Sequence, residues 1–216
     1  TIENATVGAV ERQDDWFRVK TDRRTETARY VIFASGVVNH RPPLLVSDHD
    51  RGVERGLIRY CPVCDAYEIR NKRVAVLGSG THGFAEARFI RDYSPTVTLI
   101  PPDGALASAK DGIDVLDAPM KGLALSDTQV VVTLENGGTH RFDTLYVALG
   151  TSAQSDLAGT LGVRLGEDGC IVGDGDRKTS VDRVYAIGDI TDGLDQIAHA
   201  MGQAAVAATA IHNALP

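Results

Sequence analysis

Two short runs rich in apolar and β-branched residues, Thr6–Arg12 and Trp16–Thr21, flank the polar triplet Gln13-Asp14-Asp15, which predicts a β-hairpin. A third apolar run, Ala28–Ala34, reads as a strand that ends at Ser35-Gly36, where small residues give a ligand close access to backbone. Arg41-Pro42-Pro43 then forbids a continuing helix and marks a crossover into another domain. The run Arg73–Leu77, apolar throughout after its first residue, predicts a buried strand. A helix is expected from about His82 to Asp92, with Gly83, Ala87 and Ile90 on one face, and Thr96–Ile100 completes a βαβ pattern.

Further along, Gln129–Leu134 and Thr139–Phe142 flank an Asn136-Gly137 turn, a strong hairpin signal. Phe142–Leu149 is a strand running into Gly150, and it echoes the Val31–Gly36 segment. That echo suggests two related nucleotide-binding folds. Ser180–Ile187 reads as a strand ending in Gly188-Asp189, and Gln196–Asn213 as a helix. Ile197, Met201, Ala204, Ala208 and Ile211 recur at three- and four-residue spacing and predict its packed face.

Composition narrows the function classes. The 216 residues suffice for one domain or two modest ones, and 43% apolar residues with 22 Gly fit a globular α/β protein. A net charge of −7 disfavours a nucleic-acid surface, which needs clustered cations. No apolar run approaches the roughly 18 to 20 residues that cross a bilayer. Three cysteines, Cys61, Cys64 and Cys170, are too few for a disulfide scaffold, so the cytoplasm is the expected compartment.

The chemistry concentrates in two motifs. In Gly78-x-Gly80-x-x-Gly83 the first glycine allows a tight turn, the second lets a pyrophosphate approach the backbone, and the third lets helix and strand pack closely. His82, inside this turn, has two readings, a phosphate or nicotinamide contact and a helix-start role. After the second strand comes Pro101-Pro102-Asp103-Gly104, in which Asp103 offers an acceptor to an adenine ribose. No arginine follows for a 2′-phosphate, so NADH is easier to accommodate than NADPH.

Ahead of the turn stands Cys61-Pro62-Val63-Cys64-Asp65. Sulfurs at this spacing come within bridging reach when Cys64 lies in the first turn of a helix, whose dipole favours a thiolate. Asp65 is suited to relaying a proton, although its charged form opposes thiolate formation. A redox pair, inert cysteines and part of a metal site all remain open at this point. The metal reading lacks a second cysteine pair.

The chain resembles the low-molecular-weight thioredoxin reductase family of flavoproteins. The resemblance rests on Phe33–Gly36, Cys61–Asp65, Gly78–Gly83, Tyr146–Gly150, Tyr185–Asp189 and Asp195–Gly202, in that order. It implies two Rossmann-like three-layer α/β domains, with an NAD(P)-binding domain at 44–148 inserted into an FAD-binding domain at 1–43 and 149–216. Ala34, Ser35, Gly36 and Gly188 would lie at the flavin nucleotide, Asp189 would bond the ribityl chain, and Gln196, Ile197 and Ala198 would line the isoalloxazine ring. Cys64 would be the sulfur next to the flavin, Cys61 the sulfur that exchanges with a partner, and Asp65 the acid–base residue. Electrons would pass from NADH or NADPH through FAD to the disulfide, with the domains rotating to present each donor. The partner would be a thioredoxin-like protein or a small-molecule disulfide or dithiol, and the assembly a homodimer.

Three departures qualify the resemblance. Ala66 stands where the family commonly has glycine. The 2′-phosphate arginines are absent after Ile100. No glycine-rich fingerprint precedes the first strand, so the FAD domain is expected to lack its N-terminal βαβ unit and this stretch alone to bind FAD poorly and be inactive. A dithiol oxidase that passes electrons outward to oxygen, and a non-catalytic nucleotide-sensing or partner-binding module, are the alternative readings.

Overall fold

The computed structural model describes residues 1–103 and 111–215. The chain divides into two compact units, residues 1–38 with 151–216 and residues 39–150.

The first unit opens with β1 (Val7–Arg12), β2 (Phe17–Thr21) and β3 (Thr25–Ala28), an antiparallel meander whose first turn is the expected polar triplet. The run from Ala28 to Ala34 is not one strand. β3 pairs antiparallel with β2, whereas β4 (Val31–Phe33) pairs parallel with a strand far along the chain. One straight segment cannot serve both sheets, and the chain turns at Arg29-Tyr30. Gly36, in the left-handed region, leads into β5 (Val37–Asn39).

The second unit begins with α1 (Val46–Glu54). Apolar periodicity gives no hint of this helix, because its buried residues are His49 and Gly52 while Val46 and Val53 are exposed. Next come β6 (Ile58–Arg59), the single turn α2 (Pro62–Asp65), a 3-10 turn over Ala66–Ile69, β7 (Arg73–Gly78), α3 (Gly80–Arg91) and β8 (Thr96–Ile100). Beyond lie β9 (Asp114–Val115), β10 (Met120–Leu125), β11 (Val130–Leu134), β12 (Thr139–Phe142) and β13 (Thr144–Ala148). The expected hairpin of β11 and β12 gains β10 as a third strand, which Lys121-Gly122 and a register shift conceal in the sequence.

Phe142–Leu149 also splits. At Asp143 the chain leaves the antiparallel sheet for the parallel one, and the Asp143 carboxylate accepts a 2.8 Å bond from the Arg73 amide at the start of β7. The parallel sheet has the order β6-β13-β7-β8-β9. Because strand side chains alternate between faces, Ala75, Leu77, Leu145 and Val147 pack toward the β10–β12 sheet. Val74, Val76, Tyr146 and Ala148 pack on the other face with Ala87 and Ile90 of α3. Helix, parallel sheet and antiparallel sheet thus form three layers.

The first unit resumes with β14 (Thr151–Ala153), paired with β5, then α4 (Asp156–Thr160), β15 (Val184–Ala186) and α5 (Ile197–Ala214). β15 is shorter than the apolar run implies, since a turn at Val181–Val184 with Arg183 in the left-handed region precedes it. It is the parallel partner of β4. The α5 helix forms where expected, but a different face packs inward. Gln203 and Ala207 are buried, whereas Ile197 and Met201 are 82% and 68% exposed. The helix is apolar nearly all round, so spacing alone could not choose its inner face. Among the described residues no helix is long and apolar enough to cross a membrane.

Candidate functional site

Cys61 and Cys64 form a disulfide, with Cα atoms 5.3 Å apart. Cys61 occupies the N-cap position of α2, Pro62 starts the helix, and the Cys64 amide donates to the Cys61 carbonyl at 3.0 Å. Proline suits this place because its fixed φ is already helical and its missing N–H is one the first turn leaves unused. The helix spans only four residues, so few peptide dipoles align behind the sulfurs. The electrostatic support expected from a helix start is therefore small.

Charge is supplied instead by side chains. Arg59, two residues before Cys61, is 10% exposed, and its guanidinium donates to Asp65 at 2.6 Å and pairs with Glu68 at 2.9 Å. Burial alone would lower the Arg59 pKa, but its bonds to Asp65 and Glu68 outweigh burial and raise it. From the interior strand β13, the Tyr146 hydroxyl donates to the other Asp65 oxygen at 2.5 Å. Tyr146 is fully buried, and burial first, then this bond, pushes its pKa up. The pleat of β13 turns Tyr146 toward the α2 side of the sheet, where its hydroxyl finds a charged acceptor.

The residue before Cys61 is held as well. The Tyr60 hydroxyl lies 2.7 Å from Nε2 of buried His49, whose Nδ1 faces Asp50 at 2.8 Å. Burial raises the Tyr60 pKa.

The glycine turn joins β7 to α3. A Cβ on Gly83 would stand 2.7 Å from the backbone of Gly78, so only glycine permits this approach of helix to strand. Gly80 has φ +62°, and among the described residues a Cβ there would meet nothing within 4 Å, which leaves its backbone open to a ligand. The residues present thus fit a dinucleotide pyrophosphate. His82 is largely exposed and pairs with Glu86 at 3.3 Å one helical turn on. Burial raises the Glu86 pKa, and among the described residues its Oε2 has no hydrogen-bond partner. Asp103 is exposed beyond β8, while residues 104–110 lie outside the described residues.

In the first unit, Ala34 and Ser35 follow β4, and the Ser35 hydroxyl donates to the Gln154 carbonyl at 2.8 Å. Gly188 and Asp189 sit in a 3-10 turn after β15, and Gln196, Ile197 and Ala198 begin α5. The sequence reading missed the residue that ties the Gly188 turn to α5. Buried Gln203 accepts from the Gly188 amide at 2.5 Å and donates to His199 at 2.7 Å. A lone glutamine within an alanine-rich helix is the only sequence signal of that role. Arg59 was missed as well, since it stands in a two-residue strand that no local pattern signals, and Tyr146 was read only as part of a buried strand.

The family profile described as pyridine nucleotide-disulphide oxidoreductase matches residues 2–204. A thioredoxin reductase of Peptoclostridium acidaminophilum is 27% identical over 217 residues, covering 88% of this chain and 66% of that protein. The mitochondrial thioredoxin reductase 1 of Arabidopsis thaliana is 32% identical over 217 residues, covering 89% of this chain and 57% of that protein. The chain therefore spans less than two thirds of the length of these curated relatives. The crystal structure of thioredoxin reductase from Streptococcus pyogenes MGAS5005 superposes with a TM-score of 0.83 at 23% identity, over 97% of this chain and 72% of that one. That likeness shows the same fold. With a profile match over nearly its whole length, the chain belongs to the pyridine nucleotide-disulphide oxidoreductase family.

Proposed function

We propose that this chain carries the dithiol and nucleotide-binding parts of a thioredoxin reductase-like flavoprotein. In this reading residues 44–148 bind NADH or NADPH, and residues 1–43 with 149–216 contribute to binding FAD. The observation that carries it is the Cys61–Cys64 disulfide on the same α/β unit as the Gly78–Gly83 turn. Gly78, Gly80 and Gly83 would hold the nicotinamide dinucleotide, with His82 beside its phosphates. Asp103 would take the adenine ribose, which favours NADH.

Ala34, Ser35, Gly36, Gly188, Asp189, Gln196, Ile197 and Ala198 would hold the flavin. Their support is the open backbone at Gly36 and the exposed apolar side chain of Ile197. When bound, the flavin supplies conversion of a two-electron hydride into thiol chemistry.

At the dithiol, two electrons break the Cys61–Cys64 bond. The Cys61 thiolate then attacks a partner disulfide, forming a mixed disulfide and releasing one partner thiolate. Cys64 displaces the second partner sulfur and re-forms the Cys61–Cys64 bond. Asp65 accepts from Arg59 and Tyr146 yet keeps lone pairs with which to take the Cys64 proton. The partner is a thioredoxin-like protein or a small-molecule disulfide, and the working assembly a homodimer.

Stopped-flow spectra of the full-length, flavin-loaded protein test this. NADH or NADPH should bleach the flavin, and a disulfide substrate should restore it. Cys61→Ser and Cys64→Ser should each block the second phase and spare the first. Absence of bleaching with both nucleotides would refute the reading.

A further inference from the structure

We propose that Arg59 is a positioning residue for the dithiol, one that offsets the two carboxylates following Cys64 and thereby permits a thiolate to form there. The inference rests on the redox reading of Cys61 and Cys64.

An aspartate directly after a reactive cysteine is a chemical conflict. A carboxylate near a thiol disfavours the second negative charge that a thiolate brings. Asp65 is that aspartate, and Glu68 adds a second one turn later. A helix of four residues provides little opposing dipole. Arg59 resolves the conflict by geometry. Its guanidinium reaches Asp65 with Nη1 at 2.6 Å and Glu68 with Nη2 at 2.9 Å, while its Nε donates to the Gly56 carbonyl at 3.2 Å. Three bonds hold a side chain that is 10% exposed, so the positive charge is fixed and poorly screened by solvent.

The same arrangement has a mechanical side. Arg59 precedes the cysteine pair and Asp65 follows it, so the ion pair closes a loop around both sulfurs. That closure persists when the disulfide is reduced, and it keeps the two thiols near each other for re-closure. Charged and titratable groups around the dithiol are Asp65 and Glu68 on its own segment, Arg59 from β6 and Tyr146 from β13. Helix α3, packed against α2, adds His82 and Glu86, which pair with each other. Tyr60 adds its hydroxyl, bound to His49. Arg70 stands over the Tyr67 ring at 3.7 Å. Arg59 is thus the cation seated on both carboxylates of the dithiol segment.

The test is the pH dependence of iodoacetamide alkylation of the reduced protein, a readout that needs neither flavin nor nicotinamide. Arg59→Gln should raise the lowest thiol pKa by about one unit and slow alkylation near neutrality about tenfold. Arg59→Lys, which keeps the charge but loses the forked bonds to Asp65 and Glu68, should fall between wild type and Arg59→Gln. Arg59→Gln combined with Asp65→Asn should recover most of the lost rate, which repair of packing could not do. Glu68→Gln, at a position 65% exposed, should accelerate alkylation about twofold by removing one of the two carboxylates from the dithiol segment. Unchanged rates in both Arg59→Gln and Glu68→Gln, or a double variant as slow as Arg59→Gln, would overturn the inference. Wild-type thiols that fail to re-form the disulfide with oxidised glutathione would instead overturn the redox reading beneath it.

Discussion

Tyr146 and Asp65 are joined by a 2.5 Å hydrogen bond that ties the residue after Cys64 to an interior strand of the parallel sheet. Eighty-one positions apart in sequence, they meet because β13 lies beside β6, which leads into the cysteine segment. The bond anchors the C-terminal end of a four-residue helix to the most buried part of its unit.

Replacing Tyr146 with Phe should therefore destabilise the protein by about 1 to 2 kcal/mol, since a bond to a charged acceptor is lost while Asp65 keeps Arg59 and some solvent. The Tyr146 pKa is raised in the fold, so the folded protein keeps a proton that the unfolded chain gives up above about pH 10. Fewer protons on the unfolded state make stability fall as pH rises. The stabilisation is complete below that pH and declines above it. Urea unfolding of wild type and Tyr146→Phe across alkaline pH checks this, because Tyr60 and Tyr185 contribute equally to both proteins. Parallel curves would refute it.

The glycines of the turn should respond differently to the same substitutions. Gly83→Ala forces a Cβ to 2.7 Å from Gly78, and parting helix from strand should cost about 1 to 3 kcal/mol. Gly80→Ala meets open space and costs only its left-handed backbone, about 1 to 2 kcal/mol. Asparagine tolerates that backbone, so Gly80→Asn should recover much of the loss. Gly83→Asn should be worse than Gly83→Ala. Denaturation midpoints of the four variants decide between steric and backbone causes.

Gln203→Leu should leave the Gly188 amide without its partner, at a cost of about 1 to 3 kcal/mol. Hydrogen exchange gives the more specific reading. Protection of the Gly188 amide should collapse, whereas that of Val184–Ala186 in β15 should persist. Equal loss across both segments would mean that Gln203 supports the whole unit, not the turn that carries Asp189.

Much of this architecture was legible from local pattern. The strand Arg73–Leu77, the helix with Gly83, Ala87 and Ile90 inward, the β11–β12 hairpin and the cysteine pair all announce themselves within about a dozen residues. Runs that serve two sheets were illegible as such. Ala28–Ala34 and Phe142–Leu149 each look continuous, and each breaks where its pairing partner changes. The α5 face was misread because Ile197 and Met201 carry the apolar signal while a buried backbone amide draws Gln203 inward.

By itself, then, the sequence determined the α/β class, the cysteine spacing and the glycine turn, because each depends on residues close together along the chain, and it carried the family in the order of six short segments. Tertiary structure alone decided which charges meet that pair. Arg59 and Tyr146 converge on Asp65 through strand order and side-chain alternation, with Glu68 on the far side of Arg59, and electrostatics acts through distance in space, which local sequence pattern does not encode.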